Sequence, residues 1–207
     1  MNRHSVIIIN NMRLKEGNKE KDIKEAAIEI FARDGFHNSK ISSIAEKAGV
    51  ATGSIYLYFK NKEEILIKIF ENLWEEMINE VESIISRHDL TEIEKLDAMI
   101  DTNFDIFIEN PHLTIVFVNE QNYLLQKYGR DKFTYYKQFF TLGEKIIDDG
   151  IKNGSFNPNL DTKVFRNFIL GGIRNLLDLW AQDSNEYRLN VVRQNVKFIL
   201  KKGILAL

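Results

Sequence analysis

The chain has 207 residues, enough to bury a core as one domain or as a small domain joined to a larger one. Hydrophobic residues make up 44% and charged residues 28%, which excludes a disordered or fibrous chain, and the lack of cysteine excludes disulfide frameworks, thiolate metal sites and cysteine nucleophiles together. The net charge of −2 is unevenly spread: residues 1–62 carry 11 Lys+Arg against 7 Asp+Glu, a basic first third on an acidic remainder, as in a nucleic-acid-binding head on a non-binding body.

Residues 1–18 lack periodicity and contain Asn10-Asn11, Gly17 and Asn18, so they read as a flexible arm, with Arg3, Arg13 and Lys15 leaving a DNA contact open. Their longest apolar run, Val6 to Ile9, is too short for a signal segment or a membrane span. No later stretch reaches a span's length either, so the protein is expected to be soluble and cytoplasmic, without a membrane partner.

From Lys19 the pattern is helical. Ile23, Ala26, Ala27, Ile30 and Phe31 share a face, and Gly35 supplies the stop. A short second helix places Ile41, Ile44, Ala45 and Ala48 inward, with Gly49 as its left-handed cap. A third segment runs from Thr52 to Tyr58. Two short helices joined at Gly49 fit a helix-turn-helix, giving a domain expected over residues 19–65.

Residues 66–207 are expected to form a second, all-helical domain. A long helix from Lys62 to about Ile85 has a wide apolar face, and another follows from about Glu92 to Glu109. After Pro111 comes a short apolar piece, Leu113 to Val118. Long helices are then expected over 121–150, with an interruption near Gly129, over 162–181, and from about Glu186 to Lys202. No strand alternation is found.

The residues from Ala26 to Leu66 carry the strongest signal. Ala27, Phe31 and Gly35-Phe36, then Ile44 to Val50, then Gly53-Ser54-Ile55-Tyr56-Leu57-Tyr58-Phe59-Lys60-Asn61-Lys62-Glu63-Glu64, form an ordered series that resembles the TetR family of repressors. That resemblance implies an all-α fold, an N-terminal helix-turn-helix and a C-terminal domain for ligand binding and dimerisation. No cofactor is expected.

A recognition helix needs a slim, polar first turn to enter a major groove about 12 Å wide. Ala51-Thr52-Gly53-Ser54 supplies it: Thr52 and Ser54 offer hydroxyls, and Gly53 removes bulk. Tyr56 and Tyr58 are too polar and too close to both be core, so one or both should reach phosphates. Ser42 and Ser43 open the second helix, Lys62 resembles the family's phosphate-binding lysine, and Lys60 is a second candidate. Because Ala51 stands where the family often has a capping Ser or Thr, Thr52 is a candidate for the cap.

The family also implies a homodimer through the last two long helices, presenting two heads to a pseudo-palindromic double-stranded operator. Gly171-Gly172 within a strong helix permits close approach, flanked by Phe165, Phe168, Ile169, Ile173, Leu176 and Trp180. Val192, Val196, Ile199, Leu200 and Gly203 are expected to form the second dimer helix. A hydrophobic effector would meet aromatic faces bearing isolated polar groups. Candidates are Trp74, Asn103, Phe107, Phe117, Tyr123, Tyr136, Phe140, Arg174 and Trp180, although for any single aromatic a plain core role is the stronger reading. Asn103 stays open between a ligand contact and backbone satisfaction. Arg174 should pair with a ligand anion or an acidic neighbour, the ion pair being the expectation.

Within the family the run from Gly53 to Leu66 looks most like fatty-acid-degradation regulators of FadR type, which implies repression relieved by long-chain acyl-CoA. Two readings stay beside it: a regulator of an efflux or other stress operon with a different hydrophobic ligand, and a ligand-independent DNA-organising protein of the same fold. An enzyme is not expected, because His4, His37, His88 and His112 show no metal spacing and no phosphate-binding or nucleophile motif occurs. A sensor of cationic drugs would need carboxylates among the aromatics, and none stands on the apolar stripes.

Overall fold

A computed structural model describes residues 19–129, 133–185 and 188–205, so the arm assigned to residues 1–18 lies outside the described residues. The described residues form helices with no strand, and a single isolated bridge joins Phe156 to Leu205. The chain divides into two compact units, one ending at Ile69 and one beginning at Phe70.

The first unit holds α1 (Lys19–Asp34), α2 (Ile41–Lys47), α3 (Thr52–Ile55) and the start of α4 (Lys62–Ile85). Ile23, Ala26, Ala27, Ile30 and Phe31 of α1 are buried at the expected helical spacing. Phe36 folds edge-on against Phe31, with ring centroids 5.3 Å apart. Gly35 and Gly49 end their helices at φ +76° and +67°, where a side chain would be strained. Val50 N–H returns to Ala45 O at 3.0 Å, closing the turn that aims α3. Ile55 and Phe59 are buried, so α3 is pinned from its inner face. Asn61 starts α4: its Oδ1 accepts from Glu64 N–H at 2.9 Å, while Glu64 Oε2 accepts from Lys60 N–H at 2.5 Å.

The second unit continues α4 and adds α5 (Glu92–Glu109), α6 (Pro111–Tyr128), α7 (Thr134–Lys152), α8 (Thr162–Gln182) and α9 (Leu189–Ile204). Thr91 and Glu94 cap α5 reciprocally. The apolar piece after Pro111 is no separate element. Pro111 occupies the first turn of α6, where its missing N–H costs nothing, and one helix runs to Tyr128. The interruption at Gly129 is a full break, with φ +76°. The last helix starts at Leu189 rather than at Glu186, which lies outside the described residues.

Asp97, Asp101 and Asp105 recur every four residues on α5 and meet a basic edge of α9. Lys201 pairs with Asp97, Lys197 with Asp101 at 2.5 Å, and Arg193 with Asp105 at 2.5 Å. These contacts hold α9 against α5 while Val192, Val196 and Leu200 sink into the same protomer. Those three were expected on a dimer face. The ion ladder instead fixes the rotation of α9 so that Val191, Phe198 and Ile199 point outward, more than half exposed. On α8, Val164 and Phe168 are likewise exposed, and nothing lies within 4 Å of a Cβ built on Gly171 or Gly172.

Candidate nucleic-acid interface and ligand cavity

In the first unit α3 turns its first residues toward solvent. Thr52 and Gly53 are exposed, Ser54 is half-buried, and the rest of α3 hangs from buried Ile55. Ala51 occupies the cap position and no side chain caps α3, so Thr52 is the helix's first residue rather than its cap. Tyr56 is 57% exposed, Tyr58 is half-buried and Lys60 is exposed. Ser42 and Ser43 stand in the first turn of α2, exposed and half-buried. Lys40, not singled out in the sequence, holds the cap position of α2 and is exposed.

Lys62, the expected phosphate-binding lysine, is engaged within the first unit. Its ammonium donates to the carbonyls of Phe36, His37 and Ser39 at 2.7, 2.8 and 3.0 Å and lies 4.9 Å from the Phe36 ring centroid. Three donors meet three acceptors, so this lysine closes the loop after α1 instead of reaching outward.

The second unit contains a cavity of about 550 Å³ between α4, α5, α6, α7 and α8, within the ~300–1,000 Å³ range of small-molecule sites. Its centre is aromatic. Trp74 meets Tyr136 edge-on at 5.1 Å and Phe139 at 5.3 Å, and Phe107 meets Phe117 at 4.9 Å. Of the candidates named from sequence, Trp74, Asn103, Phe107, Phe117, Tyr136, Phe140 and Arg174 stand on its wall. Tyr123 and Trp180 do not: Tyr123 turns to Lys127, whose ammonium donates to its hydroxyl at 3.1 Å.

The wall also carries polar groups that the sequence did not reveal: Lys137, Lys163, Arg166, Gln121 and Glu144. They fall on amphipathic helices whose charged positions read as solvated surface. Against the expectation of no carboxylate among the aromatics, Glu144 lines the cavity, held by Arg166 Nη1 at 2.5 Å. Its charge is thereby spent inside the protein, and Lys137, Lys163 and Arg174 leave the wall cationic.

Arg174 does not form the expected ion pair. It donates from Nη2 to Val118 O at 2.9 Å, and its Nε is buried with no hydrogen-bond partner. Asn103 Oδ1, on the same cavity wall, is also buried and unpartnered. Among the described residues no cluster of His, Asp or Glu suits a metal ion, and no helix is long and apolar enough to cross a membrane.

Residues 23–69 match the family of bacterial regulatory proteins of the tetR family, and residues 70–203 match the YsiA-like protein C-terminal region. The fatty acid metabolism regulator protein of Bacillus subtilis is 33% identical over 90% of this chain and 95% of its own length. Among solved structures, the regulator FadR from Bacillus subtilis in complex with stearoyl-CoA superposes with a TM-score of 0.77 at 32% identity, covering 88% of this chain and 98% of that one. The fatty acid degradation regulator FadR from Bacillus halodurans gives 0.80 at 28% identity, covering 89% and 95%.

Proposed function

The chain belongs to the TetR family of bacterial DNA-binding transcription regulators, and from that premise we propose that it represses genes of fatty-acid metabolism and leaves its operator on binding long-chain acyl-CoA. The observation that carries the effector reading is the cavity: an aromatic interior suited to an acyl chain, continued by Lys137 and Lys163, which suit phosphates. The relative that binds stearoyl-CoA supports the same ligand class. A ligand-independent organiser of DNA would have no use for such a volume.

On the DNA side, Thr52, Gly53 and Ser54 enter the major groove, Tyr56, Tyr58 and Lys60 hold the flanking phosphates, and Ser42 and Ser43 add backbone contacts. Val164, Phe168, Val191, Phe198 and Ile199 bury themselves against a second copy through α8 and α9, so that two heads read a pseudo-palindromic site in the cytoplasm. Trp74 and Met77 of the cavity wall lie on α4, whose first turns belong to the head, so a ligand that displaces α4 acts on DNA binding through one continuous helix.

Thermal unfolding with a series of acyl-CoAs tests the effector, because a ligand that binds only the folded state raises its stability. Stearoyl-CoA at 100 times its Kd should add about 2.7 kcal/mol, with short acyl chains and free CoA far weaker. An unfolding curve that no acyl-CoA moves would overturn the reading.

A further inference from the structure

We propose that Arg174 and Asn103 recognise the linkage end of the effector: Arg174 Nε donates to the thioester carbonyl, and Asn103 Oδ1 accepts the neighbouring amide N–H. This rests on the acyl-CoA reading and adds to it where along the ligand the polar linkage is held. Both atoms are buried on the wall of one cavity without a hydrogen-bond partner. A buried donor or acceptor left unsatisfied costs about 1–3 kcal/mol, so a donor and an acceptor on one cavity wall call for an occupant that completes both.

The spacing along α8 fits the assignment. One face of this helix lines the cavity from Lys163 through Arg166, Asn167 and Leu170 to Arg174 and Leu177. It runs from an exposed lysine to a buried leucine. Eleven residues separate Lys163 from Arg174, about 16 Å at the rise of an α-helix. An extended pantetheine arm spans a comparable length between thioester and pyrophosphate. With the carbonyl on Arg174, the phosphates come to Lys163, and the acyl chain passes on toward Phe107 and Phe117.

A carboxylate is the rival occupant of a guanidinium without a counter-ion, but it carries no donor to satisfy Asn103 Oδ1. A carbonyl followed by an amide N–H satisfies both atoms. Recognition at this point therefore favours the thioester over the free acid, and over a chain attached to CoA with no carbonyl.

Calorimetric titration of the whole protein with stearoyl-CoA, its thioether analogue S-octadecyl-CoA and free stearate tests this. The wild type should bind the thioester at least tenfold more tightly than the thioether. Arg174→Met should shrink that difference to less than threefold, and Arg174→Lys should restore part of it. Equal wild-type affinities for thioester and thioether would overturn the proposal, as would stearate binding more tightly than stearoyl-CoA. The ligand comparison needs only the wild type, so it stands even if a variant fails to fold. If neither CoA compound binds the wild type, the effector reading itself falls; if both bind equally, only the carbonyl assignment does.

Discussion

The ammonium of Lys62 donates to the carbonyl of Phe36 at 2.7 Å while lying 4.9 Å from that residue's ring centroid, so one lysine satisfies the loop after α1 and covers its aromatic anchor. Two further carbonyls, of His37 and Ser39, share it. Lys62→Met should therefore lower the stability of the head by about 1–3 kcal/mol, since partly buried carbonyls lose a charged donor. Denaturant unfolding followed by circular dichroism reads this. A variant with unchanged stability and a reduced salt slope of DNA binding would return Lys62 to the phosphate role.

Gly150 and Phe156 are in closest approach. A Cβ built on Gly150 would stand 2.2 Å from Phe156 Cδ2, and Phe156 is fully buried. Gly150→Ala must displace that ring, at a cost of about 1–3 kcal/mol typical of overpacking. Thermal unfolding should show a clear drop in Tm; a rise would mean that the ring has space the structure does not show.

Asp101 receives both Lys197 at 2.5 Å and Arg193 at 3.7 Å, at the middle of the ladder between α5 and α9. Lys197 and Arg193 are mostly buried, so Asp101→Asn removes a partner from two partly desolvated cations, and a loss of about 1–2 kcal/mol is expected. The loss should shrink in high salt. Equal stability of variant and wild type at low salt would show the ladder to be an exposed and negligible one.

Phe168 is 74% exposed and Ile199 60%, on the outward faces of α8 and α9. With Val164, Val191 and Phe198 they make up the face proposed for a second copy. Phe168→Asp together with Ile199→Lys should shift the protein from dimer to monomer in sedimentation velocity and reduce operator affinity at least tenfold. A variant that still sediments as a dimer would place the interface elsewhere.

The head was legible because its signals are local: Gly35 and Gly49 dictate backbone conformations, and the run from Gly53 to Glu64 is read within consecutive turns. Most of the aromatic cavity wall was legible too, since Trp74, Phe107, Phe117 and Phe140 follow helical spacing. What escaped is tertiary. Whether Lys62 points outward depends on a loop more than twenty residues earlier in the chain. The outward face of α9 is set by aspartates on α5, nearly a hundred residues away, and no periodicity within α9 distinguishes its two apolar faces. Glu144 and Arg166 stand on different helices, α7 and α8, and their pairing on the cavity wall is a tertiary contact that no local pattern encodes.

Retention and release of genomic DNA tests the central claim most directly. Fragments captured on the immobilised wild-type protein at low salt should share a pseudo-palindromic motif, resist free CoA and stearate, and elute with micromolar stearoyl-CoA. Fragments that stay bound throughout the stearoyl-CoA wash would contradict an acyl-CoA-responsive repressor.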